Sequence, residues 1–293
     1  MAVTHTQLRA FVAVARAGSV HAAAAHLFVS QPSVSAALAA LARELDVQLV
    51  ERHGRGVRLT EAGEAYLPYA TQVLGLVDEG REAAHEAVRR EGARVRVVAV
   101  NTAGEYLLPP LIQAFRGCAP RVEVLLEIGN RRTLHDRLVS HEADIGVGGR
   151  APGREIMGEA FLENELIVVG RTVPDDLGQA VWLLREEGSG TRAATERFLA
   201  ERGLEPAELL TLGSNGAVKQ ALAIGLGVTL VSAHAVSREL RAGSLVRIPA
   251  PGTPLVRPWY VLHLRGRLLR PAVESFRDFL LSPEARQAIE KAL

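Results

Sequence analysis

SVHAAAAHLFVSQPSVSAALAALARELD, residues 19–46, decides the reading of this chain, because two serines mark the starts of two helices joined by a short turn. Ser19 follows Gly18 and predicts the cap of a helix running to Leu27. Ser30 predicts the cap of a second, from Gln31 to Leu45, with only Phe28, Val29 and Ser30 between them. Pro32 falls in the first turn of the second helix, where a missing N–H costs little and its fixed φ favours helical entry. Val34, Leu38, Leu41 and Leu45 recur at helical spacing and form an apolar stripe. The opposite face, Pro32, Ala36, Ala39, Ala40 and Arg43, is small and flat, which suits close approach to a duplex. Taken alone, the pattern also fits an alanine-rich helical hairpin inside another fold.

The next segment favours DNA. QLVERHGRGVRLTEAG, residues 48–63, sets Arg52, His53, Arg55 and Arg58 around the turn residues Gly54 and Gly56, a hairpin with a cationic tip. Residues 1–59 hold six arginines against three acids, the local excess that phosphate binding needs. The whole chain carries only +1, so any nucleic-acid footprint is local. The candidate DNA contacts are Ser30, Gln31, Pro32, Ser33, Ser35 and Arg43 on the second helix, with Arg52, His53 and Arg55 on the hairpin. Among them Gln31 can pair bidentately with adenine.

Thr60 predicts the cap of a long helix whose first turn carries Glu61 and Glu64, acids well placed at its positive end. Within it Tyr66, Ala70, Val73, Val77, Gly80, Ala84 and Ala87 alternate steps of four and three, a coiled-coil seam. Residues 61–90 therefore read as linker and dimerisation helix, with Tyr66, Val73, Val77 and Ala84 as dimer contacts. Pro68 predicts a local kink.

From Arg94 onward strands alternate with helices. VRVVAV (95–100), VEVLLEI (122–128), ADIGVG (143–148) and LIVVG (166–170) form one series. AVWLLR (180–185), LLTLG (209–213), GVTLVS (227–232) and WYVLHL (259–264) form a second. Such near-continuous apolar runs predict parallel strands buried on both faces, in two similar α/β lobes. Ligands of open α/β sheets bind beyond the carboxyl ends of the strands. Those ends carry Asn101 to Gly104, Gly129 to Arg131, EEGSGTR (186–192) and Gly213 to Gly216, each leading into a helix. Helix N-termini converging on one cleft suit an anion. The candidate effector contacts are Thr102, Asn130, Ser189, Thr191 and Asn215, none of which brings negative charge.

A length of 293 residues with 48% hydrophobic and 23% charged residues implies more than one compact unit. The single cysteine, Cys118, excludes an intrachain disulfide, and its place on an apolar helix predicts a buried structural thiol. No run approaches the roughly 18 apolar residues of a membrane span. Arg9, Arg16, His21 and His26 interrupt the Ala- and Val-rich N-terminal segment at helical spacing, so no signal peptide is expected and the predicted compartment is the cytoplasm. GxGxxG, Walker, HExxH and CxxC motifs are absent, and GSG at 188–190 lacks the earlier glycine of a nucleophile elbow. The nine histidines do not cluster, and His234 and His263 read as structural. No metal, no cofactor and no catalysis are expected. Gly148 and Gly149 hint at a phosphate turn without further support.

The blocks LRAFVAVARAGSV (8–20), AAAAHL (22–27), VSQPSVSAAL (29–38) and RELDVQLVERHGRGVRLTEAG (43–63) closely resemble the LysR-type transcriptional regulators, and the resemblance extends over essentially the whole chain. Two departures from it involve three positions: Ala36 and Ala37 stand where many members carry Arg and Gln, and His21 replaces the usual Thr. GNRRTLHDRLVSHEADIGVGGR (129–150), LREEGSGTR (184–192) and GSNGAVKQALAIGLGV (213–228) look most like members controlling carbon fixation (CbbR-like) or sulfur metabolism (CysL-like). The resemblance implies an α plus α/β protein: a winged helix-turn-helix over 1–60, a linker helix over 61–90, and a periplasmic-binding-protein-like effector domain over 91–293. Its lobe I would span about 91–162 and 267–293, and lobe II about 163–266. Homo-oligomers, commonly tetramers built from dimers, are implied, since paired DNA modules reach two half-sites. The expected partners are double-stranded promoter DNA, a small anionic effector, further copies of the chain and RNA polymerase, without a membrane. A solute sensor that does not bind DNA, or an enzyme using the α/β cleft, are the alternatives.

Overall fold

In the computed structural model, which describes residues 2–54, 56–88, 92–150 and 153–292, three capped helices open the chain. They are α1 (His5–Ala17), α2 (Val20–Leu27) and α3 (Gln31–Leu45). Thr4 closes a capping box with Gln7, Ser19 accepts from the Ala22 N–H, and Ser30 accepts from the Ser33 N–H. Each cap satisfies a donor that the first helical turn leaves unpaired. Gly18, Phe28 and Asp46 end the three helices in the left-handed region. The small Ala23 and Ala24 of α2 let Phe11, Val14, Val34 and Leu41 meet in one core. The predicted stripe is thus inward: Val34, Leu38 and Leu41 are buried and Leu45 is packed against them.

The hairpin of β1 (Val50–His53) and β2 (Gly56–Leu59) docks on the turn between α1 and α2. The Val57 N–H donates to the Gly18 carbonyl at 3.0 Å. A Cβ on Gly56 would stand 2.6 Å from that same oxygen, so only glycine permits the approach. Thr60 then donates to the Gln48 carbonyl and accepts from the Gly63 N–H, capping α4 (Glu61–Val88), which runs through Pro68 as one helix. On α4 the Tyr66 ring lies 5.7 Å from the Phe11 ring, and Ala70 is buried in the same core. The seam predicted through Tyr66 therefore needs correction, because this turn is already occupied by its own domain. The exposed apolar stripe consists of Tyr69, Val73, Leu76 and Val77.

The chain divides into two compact units, Met1–Arg89 with Val139–Glu142, and Arg90–Leu138 with Ala143–Leu293. The second unit contains two sheets. Lobe I is built from β3 (Ala93–Val100), α5 (Leu108–Cys118), β4 (Val122–Gly129), α6 (Arg131–Val139), β5 (Ile145–Gly148) and β6 (Ile156–Leu162). Lobe II follows with β7 (Glu165–Gly170), β8 (Val181–Leu184), α7 (Gly190–Glu201), β9 (Glu208–Thr211), α8 (Asn215–Ala223), β10 (Val228–Ser232), α9 (Ala233–Arg241), β11 (Val246–Ile248) and β12 (Leu255–Val256). The last strand, β13 (Trp259–Leu264), and the helices α10 (Pro271–Leu281) and α11 (Pro283–Ala292) return to lobe I.

Lobe I has strand order β4-β3-β5-β13-β6, and lobe II has β11-β7-β10-β8-β9 with β12 also on β7. Four sequence-based expectations change here. WYVLHL does not close lobe II: β13 pairs antiparallel with β5 and β6, so the second crossing comes near residue 258 rather than 266. Both sheets are mixed, since β7 also runs antiparallel to β10, β11 and β12. The strands at 122–128 and 209–213 are edges, not doubly covered centres, and leave Leu125, Ile128 and Leu209 exposed. An apolar run reports hydrophobicity but not which neighbours will cover it. Cys118 is exposed, because α5 ends at that residue and its buried stripe of Leu108, Leu111 and Phe115 ends before it.

A buried carboxylate ties lobe I together. Asp144, fully buried before β5, receives Arg96 at 2.9 Å, Arg267 at 2.5 Å and Arg270 at 3.1 Å. Burial alone would raise its pKa, but the hydrogen bonds and charges of Arg96 and Arg267 hold the carboxyl below its usual range. No single helix among the described residues is long and apolar enough to cross a membrane.

Candidate functional site

Two sites emerge, one in each unit. In the first, Ser30, Gln31, Pro32, Ser33 and Ser35 lie exposed along the opening turns of α3. The Ser30 hydroxyl is engaged: it caps the helix and bonds the Ser33 hydroxyl at 2.7 Å. Ser30 and Ser33 therefore set the helix entry, while Gln31 and Ser35 present their side chains outward. Arg43 is also exposed, but at a rise of about 1.5 Å per residue it stands roughly 18 Å along the axis from Gln31. It belongs to a different part of the face. On the hairpin Arg52 and His53 are exposed, while Arg58 is held by Glu51 at 2.6 Å. Arg55 lies outside the described residues. On α4, Val73, Val77 and Ala84 are exposed.

The second site is a cavity of about 110 Å³ between the two lobes of the second unit, at the carboxyl ends of β3, β4, β5 and β8. Four of the five predicted contacts line it: Thr102, Asn130, Ser189 and Thr191. Asn130 caps α6, its Oδ1 accepting from the Thr133 N–H at 2.9 Å. Ser189 caps α7, accepting from the Arg192 N–H at 3.4 Å, and this brings the positive end of a twelve-residue helix to the cavity wall. Thr102 makes no cap; it leads into a single π-helical turn, residues 103–107.

Asn215 is not part of the lining. It is buried, accepts from the Arg185 guanidinium and donates to Glu105 at 2.8 Å. Its amide is thus committed to a brace between lobe II and lobe I. The same brace includes Arg185, which grips both oxygens of Glu186 at 2.7 and 2.8 Å, and Asn101, which donates to Glu186 at 3.1 Å from lobe I.

The cavity's charge comes from residues that the sequence reading did not single out. Arg131, Arg150, Arg185 and Arg257 line it, against the one carboxylate of Glu186. Glu186 is matched to Arg185, and Arg131, Arg150 and Arg257 bring further positive charge to the wall. Burial, with the like charges of Arg197 and Arg131, lowers the Arg257 pKa. Its guanidinium donates to the Gly190 carbonyl at 3.4 Å. Gly148 and Gly149 also line the cavity beside Arg150. Arg131 and Arg150 follow glycine-containing strand ends and were within reach of a sequence argument. Arg257 sits in the return crossing after β12, where no local pattern points to a ligand. The described residues contain no group of acids, histidines or cysteines arranged to hold a metal.

Comparison with known proteins matches both units. Residues 5–64 match the bacterial regulatory helix-turn-helix of the lysR family, and residues 89–283 match the LysR substrate binding domain. The RuBisCO operon transcriptional regulator of Allochromatium vinosum is 36% identical over 299 residues, covering 98% of each chain. The CcmR regulatory domain of Synechocystis, solved in complex with 2-PG, has a TM-score of 0.60 at 30% identity and covers 64% of this chain and 96% of its own. Full-length OxyR from Pseudomonas aeruginosa reaches a TM-score of 0.70 at 26% identity, covering 98% of this chain and 97% of its own. The carbon-fixation side of the sequence resemblance is thus present among the relatives. Similarity spans both halves of the chain without a break, and the protein belongs to the LysR family of transcriptional regulators, with a DNA-binding domain followed by an effector-binding domain.

Proposed function

We propose that this regulator binds promoter DNA as a dimer or dimer of dimers and is switched by a small oxyanion-bearing metabolite held between its two lobes. The observation that carries the reading is the cavity wall itself: four arginines beside the single acid Glu186 among its described residues, three hydroxyls, the Asn130 amide and a helix N-terminus, in a volume suited to a small metabolite. The 2-PG in the Synechocystis CcmR regulatory domain supports an anion of that kind. The Allochromatium vinosum relative supports genes of carbon fixation as targets. Gln31 and Ser35 would read bases, Arg52, His53 and Arg55 would hold phosphate, and Val73, Val77 and Ala84 would meet a second protomer along α4. A cytoplasmic location and contact with RNA polymerase follow from that role.

A ligand shifts a two-state protein only by binding one state better. The Asn101–Glu186 and Asn215–Glu105 bonds cross from lobe to lobe beside the cavity, so an anion drawn to Arg185 would compete with Glu186 and loosen the brace. Calorimetry on the full-length protein tests the reading, comparing 2-PG and inorganic phosphate with neutral analogues in wild type, Thr102→Val, Ser189→Ala and Arg257→Ala. Anions should bind, and each variant should weaken them, Arg257→Ala by tenfold or more as a charge-assisted bond is lost. Binding confined to neutral apolar compounds would remove the proposal, and anion binding undiminished in all three variants would move the site elsewhere.

A further inference from the structure

One residue of the cavity wall carries a polar group that finds no acceptor among the described residues. Trp259 opens β13 directly after the second crossing between the lobes, lines the cavity, and is 5% exposed. Its indole N–H is buried and finds no hydrogen-bond partner among the described residues. The other tryptophan, Trp182, is fully buried in lobe II, yet its indole N–H donates to the Leu177 carbonyl at 3.0 Å. Buried donors are nearly always paired, and an orphan bears the whole cost of its desolvation. A phenylalanine would line the same wall without that cost.

The surroundings say what the missing acceptor should be. The Arg257 N–H donates to the Asn164 carbonyl at 2.8 Å, joining the two crossing segments immediately before Trp259. Arg257 and Arg131 stand in the same wall and would draw an anionic oxygen toward it. Neither can accept a hydrogen bond from the indole, because arginine offers donors only.

We propose that Trp259 is a ligand-binding residue whose indole N–H donates to an oxygen of the bound anion, a phosphoryl or carboxylate oxygen, at the pivot between the lobes. This rests on the proposed anion cavity and adds to it a neutral donor that rewards an oxyanion over an apolar ligand of equal size. Because the donor sits beside the paired crossing segments, occupancy fixes the pivot as well as the two walls.

The test uses full-length protein with 2-PG and inorganic phosphate as probes. Trp259→Phe keeps an aromatic ring in the wall and removes the donor. The Kd for 2-PG should rise about tenfold, the scale of one hydrogen bond to a charged group. Indole fluorescence gives a second reading: saturating 2-PG should shift the emission in wild type and in Trp182→Phe, and the shift should vanish in Trp259→Phe. An unchanged Kd in Trp259→Phe, or an unmoved emission in Trp182→Phe at saturation, overturns the inference even if the phenylalanine variant fails to fold. Loss of binding in Arg257→Ala with none in Trp259→Phe leaves the cavity reading standing and removes only Trp259. Wild-type protein that binds neither probe removes both.

Discussion

The proposed DNA-reading face takes its described residues from one run of chain, Ser30 to His53, whereas the cavity draws on six separate segments between Val100 and Leu262. The two sites also handle polarity in opposite ways. On α3 and the hairpin the proposed contact side chains are exposed and rest on a core formed by residues of the same domain, from Leu8 to Ala70. In the cavity the polar groups are partly or wholly buried, and several are occupied by one another, as with Arg185, Glu186 and Asn101. A surface that meets a large polyanion can leave its groups in water until the partner arrives. A site for a small molecule must hold its groups in place beforehand, which costs desolvation and demands internal counter-charges.

If that contrast is right, damage to one site should leave the other intact. The largest effect is expected from Val73→Glu combined with Val77→Glu on the exposed stripe of α4. Two charges placed in a symmetric helix contact should separate the protomers and cut affinity for a two-half-site operator by about a hundredfold or more, since avidity is lost. Anion binding by the same variant should be unchanged. Sedimentation showing an intact dimer would break the assignment of this face.

Asp144→Asn probes a charge that is buried in lobe I but absent from the cavity lining. Removing one partner of a buried ionic cluster costs about 3–5 kcal/mol, so denaturant unfolding of this domain should report a loss of that order. Anion affinity should persist wherever the variant is folded. The pH dependence has a definite sign. The folded-state pKa lies below the ordinary 3.8, so the carboxylate's contribution is complete above that pH and disappears as pH falls through the lower folded value. The Asn variant should lack this acid-side decline. A variant as stable as wild type would show that the three arginines are satisfied without Asp144.

Smaller effects should separate base reading from phosphate holding on the DNA face. Gln31→Ala should relax base preference at a cost of about 1–3 kcal/mol on the best site. Arg52→Ala should weaken all duplexes alike and lower the salt slope by about one unit. Binding titrations over a salt series distinguish the two. A Gln31→Ala protein with unchanged preference and affinity would leave Ser35 and the alanine face as the readers.

The first domain was almost wholly legible because its signals are local. A cap lies within three residues of the N–H it satisfies, a helical stripe repeats every three or four, and a hairpin announces itself by glycines between charged strands. Ser19, Ser30 and Thr60 therefore located helix starts that the structure places at Val20, Gln31 and Glu61. Tyr66 shows where the same logic stops: its spacing fitted a seam, but the ring packs on Phe11, from a helix some fifty residues earlier. A periodic pattern identifies a face and is silent about which surface covers it.

In the effector domain the sequence by itself determined two α/β lobes, their strands to within a few residues, and the polar loops Thr102, Asn130, Ser189 and Thr191 at the strand ends. Only the tertiary structure decided that β13 returns to lobe I, that Asn215 braces the lobes instead of facing the cavity, and that Arg257 and Trp259 complete its wall. The physical reason is the range of the interactions. Strand polarity and capping are settled between near neighbours in the chain, whereas a charge or an N–H donor acquires its meaning from groups that folding brings beside it from far away. Arg257 becomes part of the cavity wall, and Trp259 a donor without a partner among the described residues, only once the second crossing has carried them against loops that begin at Val100.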